Sequence, residues 1–373
     1  MFSLSWKDVK GIQARMRSER EALISGSAED TLRSPYQAEK QLNEKYSFPD
    51  DGGAPIRCRA SLVRIVFMKL GGIGTAAALT ALVHSGRPDL AESCSWAAAI
   101  NLIACVNYYF IWAVRAQSFG SKPYSHWMLV APPDEEVETQ EDLTKVALTE
   151  NKKMQQKLYA QELTVDSFRF SDWTVTLPLM MLDLHKLAEG VSDTAPWVAR
   201  EVAAFLQTLI LFFGSVGRFY TNEMRPNKAN KRAFKTGLAC NAVSFGIFVF
   251  CTLNLLFQTG LPVAIPEGAN TTHVPCQALI YKQRDQIAIW VVMLVQVGYP
   301  IVAAVSAVYY NRAKKDGEYL SGDYYSASMS LFKDVAYSGL DVTSKGGLAF
   351  FCVLRASYLW KIDASAYSTA SCS

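Results

Sequence analysis

The sequence predicts an all-α membrane protein, a bundle of seven transmembrane helices. Three observations predict it. Half of the 373 residues are hydrophobic and the mean hydropathy is slightly positive, too apolar for a disordered chain and unusual for a water-soluble globule. The apolar residues gather in long runs separated by charged stretches, the pattern of a polytopic membrane protein. Seven such runs approach the roughly 20 residues that a helix needs to cross hydrocarbon. A net charge of +3 gives no support to a nucleic-acid partner; the partner that the composition demands is the lipid bilayer.

Taken in order, residues 1–58 are polar and charged, with an amphipathic start at Phe2, Trp6, Val9, Ile12 and Met16. They read as a cytoplasmic tail carrying a surface helix or an interfacial arm. The first 20 residues hold no apolar core of signal-peptide length, so the first span is expected to act as its own insertion signal. The membrane domain is expected over 59–358, with spans at about 60–83, 93–116, 167–187, 198–220, 235–258, 286–310 and 327–356. The connection 117–166 is long, acidic at PPDEEVETQEDLTK and helical in character at KKMQQKLYAQEL, but too polar to span. Residues 359–373 form a C-terminal tail.

Lys and Arg set the orientation. The tail and the connections around 117–166, 221–234 and 311–326 are rich in them, and the opposite side has few. Positive charge favours the cytoplasm, which puts the N-terminus there. The loop 259–285 then faces outward or into a lumen, in agreement with the glycosylation sequon Asn270-Thr271-Thr272. Cys94 and Cys276 would share that oxidising side and are candidates to pair. The eight cysteines show no CxxC spacing, so no metal site is indicated. No phosphate loop or appended catalytic domain is visible, and an enzyme is not expected. Of the histidines, His185 near the end of the third span is expected at the surface, and His84 in or beside a loop.

Two spans carry charge. In the third, RFSDWTVTLPLMMLD, Thr176 and Asp183 are rotated from Asp172 by about 40° and about 20° at helical pitch, so all three share a face. The two carboxylates lie about 16 Å apart along the axis. Arg169, one turn before Asp172, is a candidate ion partner for it, and Pro178 removes a backbone hydrogen bond. Met180 and Met181 are packing residues. In the last span, YSGLDVTSKGGLAFF, Asp341 and Lys345 are one turn apart. A Lys in apolar surroundings is costly unless paired, and its amine is suited to Schiff-base chemistry; Asp341 and Asp172 are its candidate counter-ions.

These two motifs resemble the third-helix and last-helix motifs of microbial (type-1) rhodopsins, close to the bacteriorhodopsin pattern, and fall in the third and seventh of seven spans. The resemblance covers about 60–356. It implies retinal as cofactor, bound to Lys345 as a protonated Schiff base. It implies that Asp172 is the primary counter-ion and proton acceptor, Asp341 the second counter-ion and Asp183 the internal proton donor. Arg169 would tune the counter-ion complex and Thr176 lie beside the Schiff base. Trp173, Pro178, Tyr299, Pro300 and Gly214 would wall the pocket. Gln296 and Ala303 stand where the family has two tryptophans, and Lys333 where bacteriorhodopsin has a proton-release glutamate. The cytoplasmic N-terminus is inverted relative to most of the family.

The function so implied is a light-driven ion transporter, a proton pump with Asp172 as acceptor and Asp183 as donor. Two alternatives share the motif. A light-gated ion channel would use Asn107, Asn241, Asn254 and Gln296 to line a polar path. A photosensor would signal to a cytoplasmic partner through its tail and the 117–166 loop. Family members commonly form homo-oligomers, and the resemblance extends that expectation here.

Overall fold

The structure is a computed structural model that describes residues 54–117, 140–222, 231–265, 274–315 and 327–360. The amphipathic start, the sequon and the C-terminal tail beyond Trp360 lie outside the described residues. Two units are distinguished, residues 59–117 with 158–373, and residues 1–58 with 118–157. Of the second unit, the described parts are the start of the first helix and the N-terminal part of the third.

The helices in order are α1 (Ala54–Val83), α2 (Pro88–Gln117), α3 (Gln140–Glu189), α4 (Arg200–Asn222), α5 (Lys231–Thr259), α6 (Val274–Gln296), α7 (Gly298–Lys315), α8 (Ala327–Asp341) and α9 (Gly347–Leu359), with a π-helical segment at Val342–Gly346. They make seven spans, because α6 with α7 forms the sixth and α8, the π segment and α9 form the seventh. Five spans are long and apolar enough to cross a membrane by composition alone; the third and seventh fall short because of the charges they bring inside. Large apolar side chains such as Met68, Leu82, Phe212, Phe245, Leu294 and Phe350 face outward, as a lipid-facing surface requires.

Each break in helix geometry has a local cause. Pro300 lacks an N–H, and its ring crowds the carbonyl of Gln296; the sixth span breaks there, Val297 bonding to Leu294 O at 3.2 Å in a tighter turn. Gly298 lies in the break because a Cβ would collide with the Leu340 side chain. At the end of α5, Gly260 takes φ 72°, the left-handed geometry that closes a helix. Pro178 lies inside a continuous α3. The π segment contains Lys345 and leaves Ser344, Lys345 and Gly346 buried; such bulges recur at functional sites.

Two expectations change and one is extended. The sixth span begins near Cys276, not 286, because the charged run Lys282-Gln283-Arg284-Asp285 is helical and Asp285 is neutralised internally by Arg355. The second half of the 117–166 connection is helix, as expected at KKMQQKLYAQEL, and runs on into the third span. Cys276 is disulfide-bonded while Cys94 is a free, buried thiol, so these two do not pair.

Among the described residues the core has three parts. The largest joins α1 to α6 and α9 around Met180, Met181, Leu184, Leu255 and Met293. A second packs α1 against α2 around Leu70, Tyr108 and Ile111. The third, aromatic, is Trp173, Tyr299 and Tyr337 with Leu211 and Val302.

Candidate functional site

The centre of the site is Lys345, fully buried in the π segment of the seventh span. Its Nζ is ion-paired with Asp172 and lies 3.0 Å from Asp341 Oδ1. Both carboxylates are buried. Asp341 is held by two phenols: Tyr108 donates to Oδ2 at 2.7 Å and Tyr299 to Oδ1 at 2.6 Å. Tyr299 also contacts the Ser344 hydroxyl at 3.0 Å. Asn101 donates to the Lys345 carbonyl at 2.9 Å, bonding a carbonyl that the π geometry displaces. Thr176, also buried, donates to the Asp172 carbonyl at 2.9 Å. Asp172 Oδ1 has no hydrogen-bond partner among the described residues. One oxygen of this carboxylate therefore meets the amine and the other is open to accept a proton.

Beside this cluster is a cavity of about 450 Å³ lined by the third to seventh spans. Trp173, Leu177, Tyr299, Pro300 and Gly214 line it, and Gln296 and Ala303 with them. Trp173 stacks edge-on against Tyr299 and Tyr337, with centroids 5.2 and 4.9 Å away. Gly214 leaves room at the α4–α5 contact, where a Cβ would stand 3.3 Å from Ser244 Oγ. Lys345 and Pro178 are not among the lining residues; Tyr299 belongs to both the cavity wall and the Asp341 cluster.

Arg169 does not pair with Asp172. It bonds Asp166 at 3.0 Å and Asp334, and so enters a buried network at the N-terminal end of the third span. Arg115 joins Glu162 at 2.6 Å and Asp334 at 3.0 Å. Lys333 reaches Asp166 at 2.8 Å and Glu162 at 3.4 Å, and Arg218 pairs with Asp166. Among the described residues, four cations here meet three carboxylates, whereas around Lys345 one cation meets two.

Asp183 has different surroundings. It is fully buried among Met180, Leu184 and Leu187. Its Oδ1 has no partner among the described residues, and the contact to Oδ2 is the Cys352 thiol at 3.7 Å. A family profile for bacteriorhodopsin-like proteins matches residues 61–359. The chain belongs to that family. A search of the curated proteins returns no match.

Membership makes this bacteriorhodopsin-like protein an integral membrane protein and implies a retinal chromophore. Its own residues fit that group. A buried primary amine is present, with two carboxylates to balance a cation formed there, beside a mostly apolar cavity within the usual range for small molecules. The cavity is more polar than two tryptophans would make it, since Gln296 stands in its wall with Gln207.

Other expected placements differ. His185 is fully buried and bonded to Gln258, with Asn254 at 3.4 Å; His84 lies in the turn after α1, as expected, though buried against Trp360. The four amides do not line one path. Asn241 and Gln296 face the cavity. Asn107 bonds its own helix at Ile103 O, and Asn254 accepts from Trp197 N–H at 2.7 Å. Sequence reasoning missed Tyr108, Glu162, Asp166, Arg115, Arg218 and Asp334. A signal existed for part of the set: Glu162, Asp166 and Arg169 continue at helical spacing the face that carries Asp172, Thr176 and Asp183.

Proposed function

We propose that this bacteriorhodopsin-like protein is a light-driven proton pump in which Lys345 carries retinal, Asp172 accepts a proton and Asp183 supplies the next. The observation that carries the reading is the contrast between two carboxylates on one face of α3. Asp172 touches the Lys345 amine and shares it with Asp341. Asp183 meets the Cys352 thiol, with the buried Ser93 hydroxyl nearby, in a mostly apolar shell. Carboxylates in such unlike environments take opposite acid–base roles.

Retinal, bound as a protonated Schiff base, would supply light absorption and the isomerisation that displaces the N–H. The chain does the rest. Asp172 and Asp341 hold the cation, and the two phenols on Asp341 fix that carboxylate in place. Asp172 Oδ1 is free to take the proton. Asp183, fully buried and in no ion pair among the described residues, is suited to hold a proton at rest and give it up across the apolar layer between them. The network of Arg169, Asp334 and their partners closes the acceptor side.

The Lys and Arg distribution supports a cytoplasmic N-terminus, as does a disulfide-bonded Cys276 at the opposite end of the spans, since disulfides persist on oxidising sides. With the chemistry unchanged, transport then runs into the cytoplasm. A photosensor draws on a different feature: α3 has 50 residues, more than twice what a span needs. The test is Asp183→Asn in retinal-loaded protein. Recovery of the dark pigment after a flash should slow on the order of 10²–10³-fold; an unaltered recovery sinks the donor role.

A further inference from the structure

We propose that Asn101 is a positioning residue for Lys345: from the second span it clamps the lysine's own backbone carbonyl, holds the seventh span in its π geometry and so keeps the amine between Asp172 and Asp341. The proposal deepens the reading of Lys345 as the retinal-bearing amine and rests on that reading for its optical consequence.

A π turn holds one residue more than an α turn, and its rarity shows that a helix does not keep one unsupported. Here the Gly347 N–H reaches back to the Val342 carbonyl, five residues earlier. The wider turn carries Lys345 round the helix axis relative to Asp341, away from the place that regular i, i+4 spacing would give it. In this position Nζ lies 3.0 Å from Asp341 Oδ1 and is paired with Asp172. Within the seventh span, Thr343 and Ser344 spend their hydroxyls on carbonyls one turn back, those of Gly339 and Leu340, at 2.7 Å each. Among the described residues, the support that reaches the π backbone from another span is Asn101, which donates to the Lys345 carbonyl at 2.9 Å.

Asn101 suits this contact. Its amide nitrogen serves two acceptors, the Ala97 carbonyl at 2.8 Å and the Lys345 carbonyl, and so uses both N–H groups. That fixes which way the amide lies, because turned over it would set Oδ1 against two carbonyl oxygens. Oδ1 is left buried with no partner among the described residues. A buried polar atom without a partner lowers stability, and an apolar side chain of similar size would remove that penalty. What the apolar side chain lacks is the pair of donors. The surroundings leave the amide little freedom. It is fully buried, and a Cβ on Gly74 of α1 would stand 3.1 Å from Asn101 Cβ. A Cβ on Gly346, next to Lys345, would stand 3.2 Å from Ile73 Cδ1. Two glycines thus bring α1, α2 and the π segment into close contact around Asn101.

The consequence is positional. Without the clamp, the Lys345 carbonyl is left with the N–H groups of its own helix. The π turn then relaxes toward α geometry, and the amine swings away from Asp341. A cation on that amine is less closely balanced, and a pigment built on it absorbs at longer wavelength.

The experiment is solid-state NMR of the full chain, with and without retinal. Lysine labelled at its carbonyl carbon, together with glycine labelled at nitrogen, selects Lys–Gly peptide bonds, and the sequence has two, Lys10-Gly11 and Lys345-Gly346. In the wild type the Lys345 carbonyl should couple to the labelled side-chain nitrogen of an asparagine. Its resonance should move in Asn101→Leu, which keeps the bulk and removes the donors. It should also move in Asn101→Ser, whose hydroxyl is spent on its own helix and which carries the test should the leucine variant fail to fold. With retinal bound, both variants should absorb at longer wavelength than the wild type, by less than Asp172→Asn. A wild type without the asparagine coupling overturns the proposal. So does a Lys345 resonance, or an absorption maximum, that is unmoved in a folded variant, the result expected if Asn101 only packs. Retinal that still attaches covalently in Lys345→Ala defeats the reading of Lys345 instead, and the resonance measured without retinal then decides the clamp.

Discussion

Lys345 and its two carboxylates place a full charge and its balance in the middle of an apolar bundle. Such a cluster is tolerated only when every member is paired. The Asp341 end is the better satisfied, with two phenols and the amine, and the Asp172 end keeps one oxygen open. The two carboxylates should therefore respond differently to neutralisation. Asp172→Asn should move the absorption maximum to longer wavelength and abolish proton transfer from the Schiff base, as read by flash spectroscopy. Tyr299→Phe, which removes one of two phenols from Asp341, should give a smaller spectral shift with the transfer retained. Most of this centre was legible in the sequence, since Asp172, Thr176, Asp341 and Lys345 lie at helical spacing on two spans. Tyr108 was not, because a tyrosine in an apolar run carries no mark of the carboxylate it will meet across helices.

At the scale of the element, the third and seventh spans are joined by ion pairs at one end and at the centre, and by apolar packing beyond. Arg169, Asp166 and Asp334 tie α3 to α8, and Arg115 and Arg218 extend the ties to α2 and α4. Removing one member leaves a buried charge uncompensated. Asp334→Asn should destabilise the protein by about 3–5 kcal/mol, read as a lower midpoint in thermal unfolding. Pairing it with Arg169→Gln should recover part of the loss, because two neutral amides replace two charges. The pairings themselves were not legible. Arg169 is one turn from Asp172, and sequence distance alone favours that partner; the contact to Asp334 depends on the register of α8 against α3. The start of the sixth span was misplaced for a related reason. Asp285 reads as a loop residue until Arg355, seventy positions away, is seen to neutralise it. The break before Tyr299, by contrast, follows from Pro300.

At the scale of the whole molecule, the seven-span order came directly from hydropathy and charge spacing, since the bilayer imposes element lengths more strictly than water does. Orientation is a global property that the Lys and Arg distribution argues and the Cys276 disulfide supports. It predicts that an epitope at the N-terminus of protein in intact cells is reached by antibody only after permeabilisation. The central claim is light-driven transport by the Lys345–Asp172–Asp183 system. The most direct test is voltage-clamp photocurrent in retinal-supplied cells, with Lys345→Ala as the blank. The account predicts an inward current that keeps its sign at every holding voltage and is absent in the blank. A current that reverses near an ion's equilibrium potential, or no current from a pigment that still cycles, would contradict it.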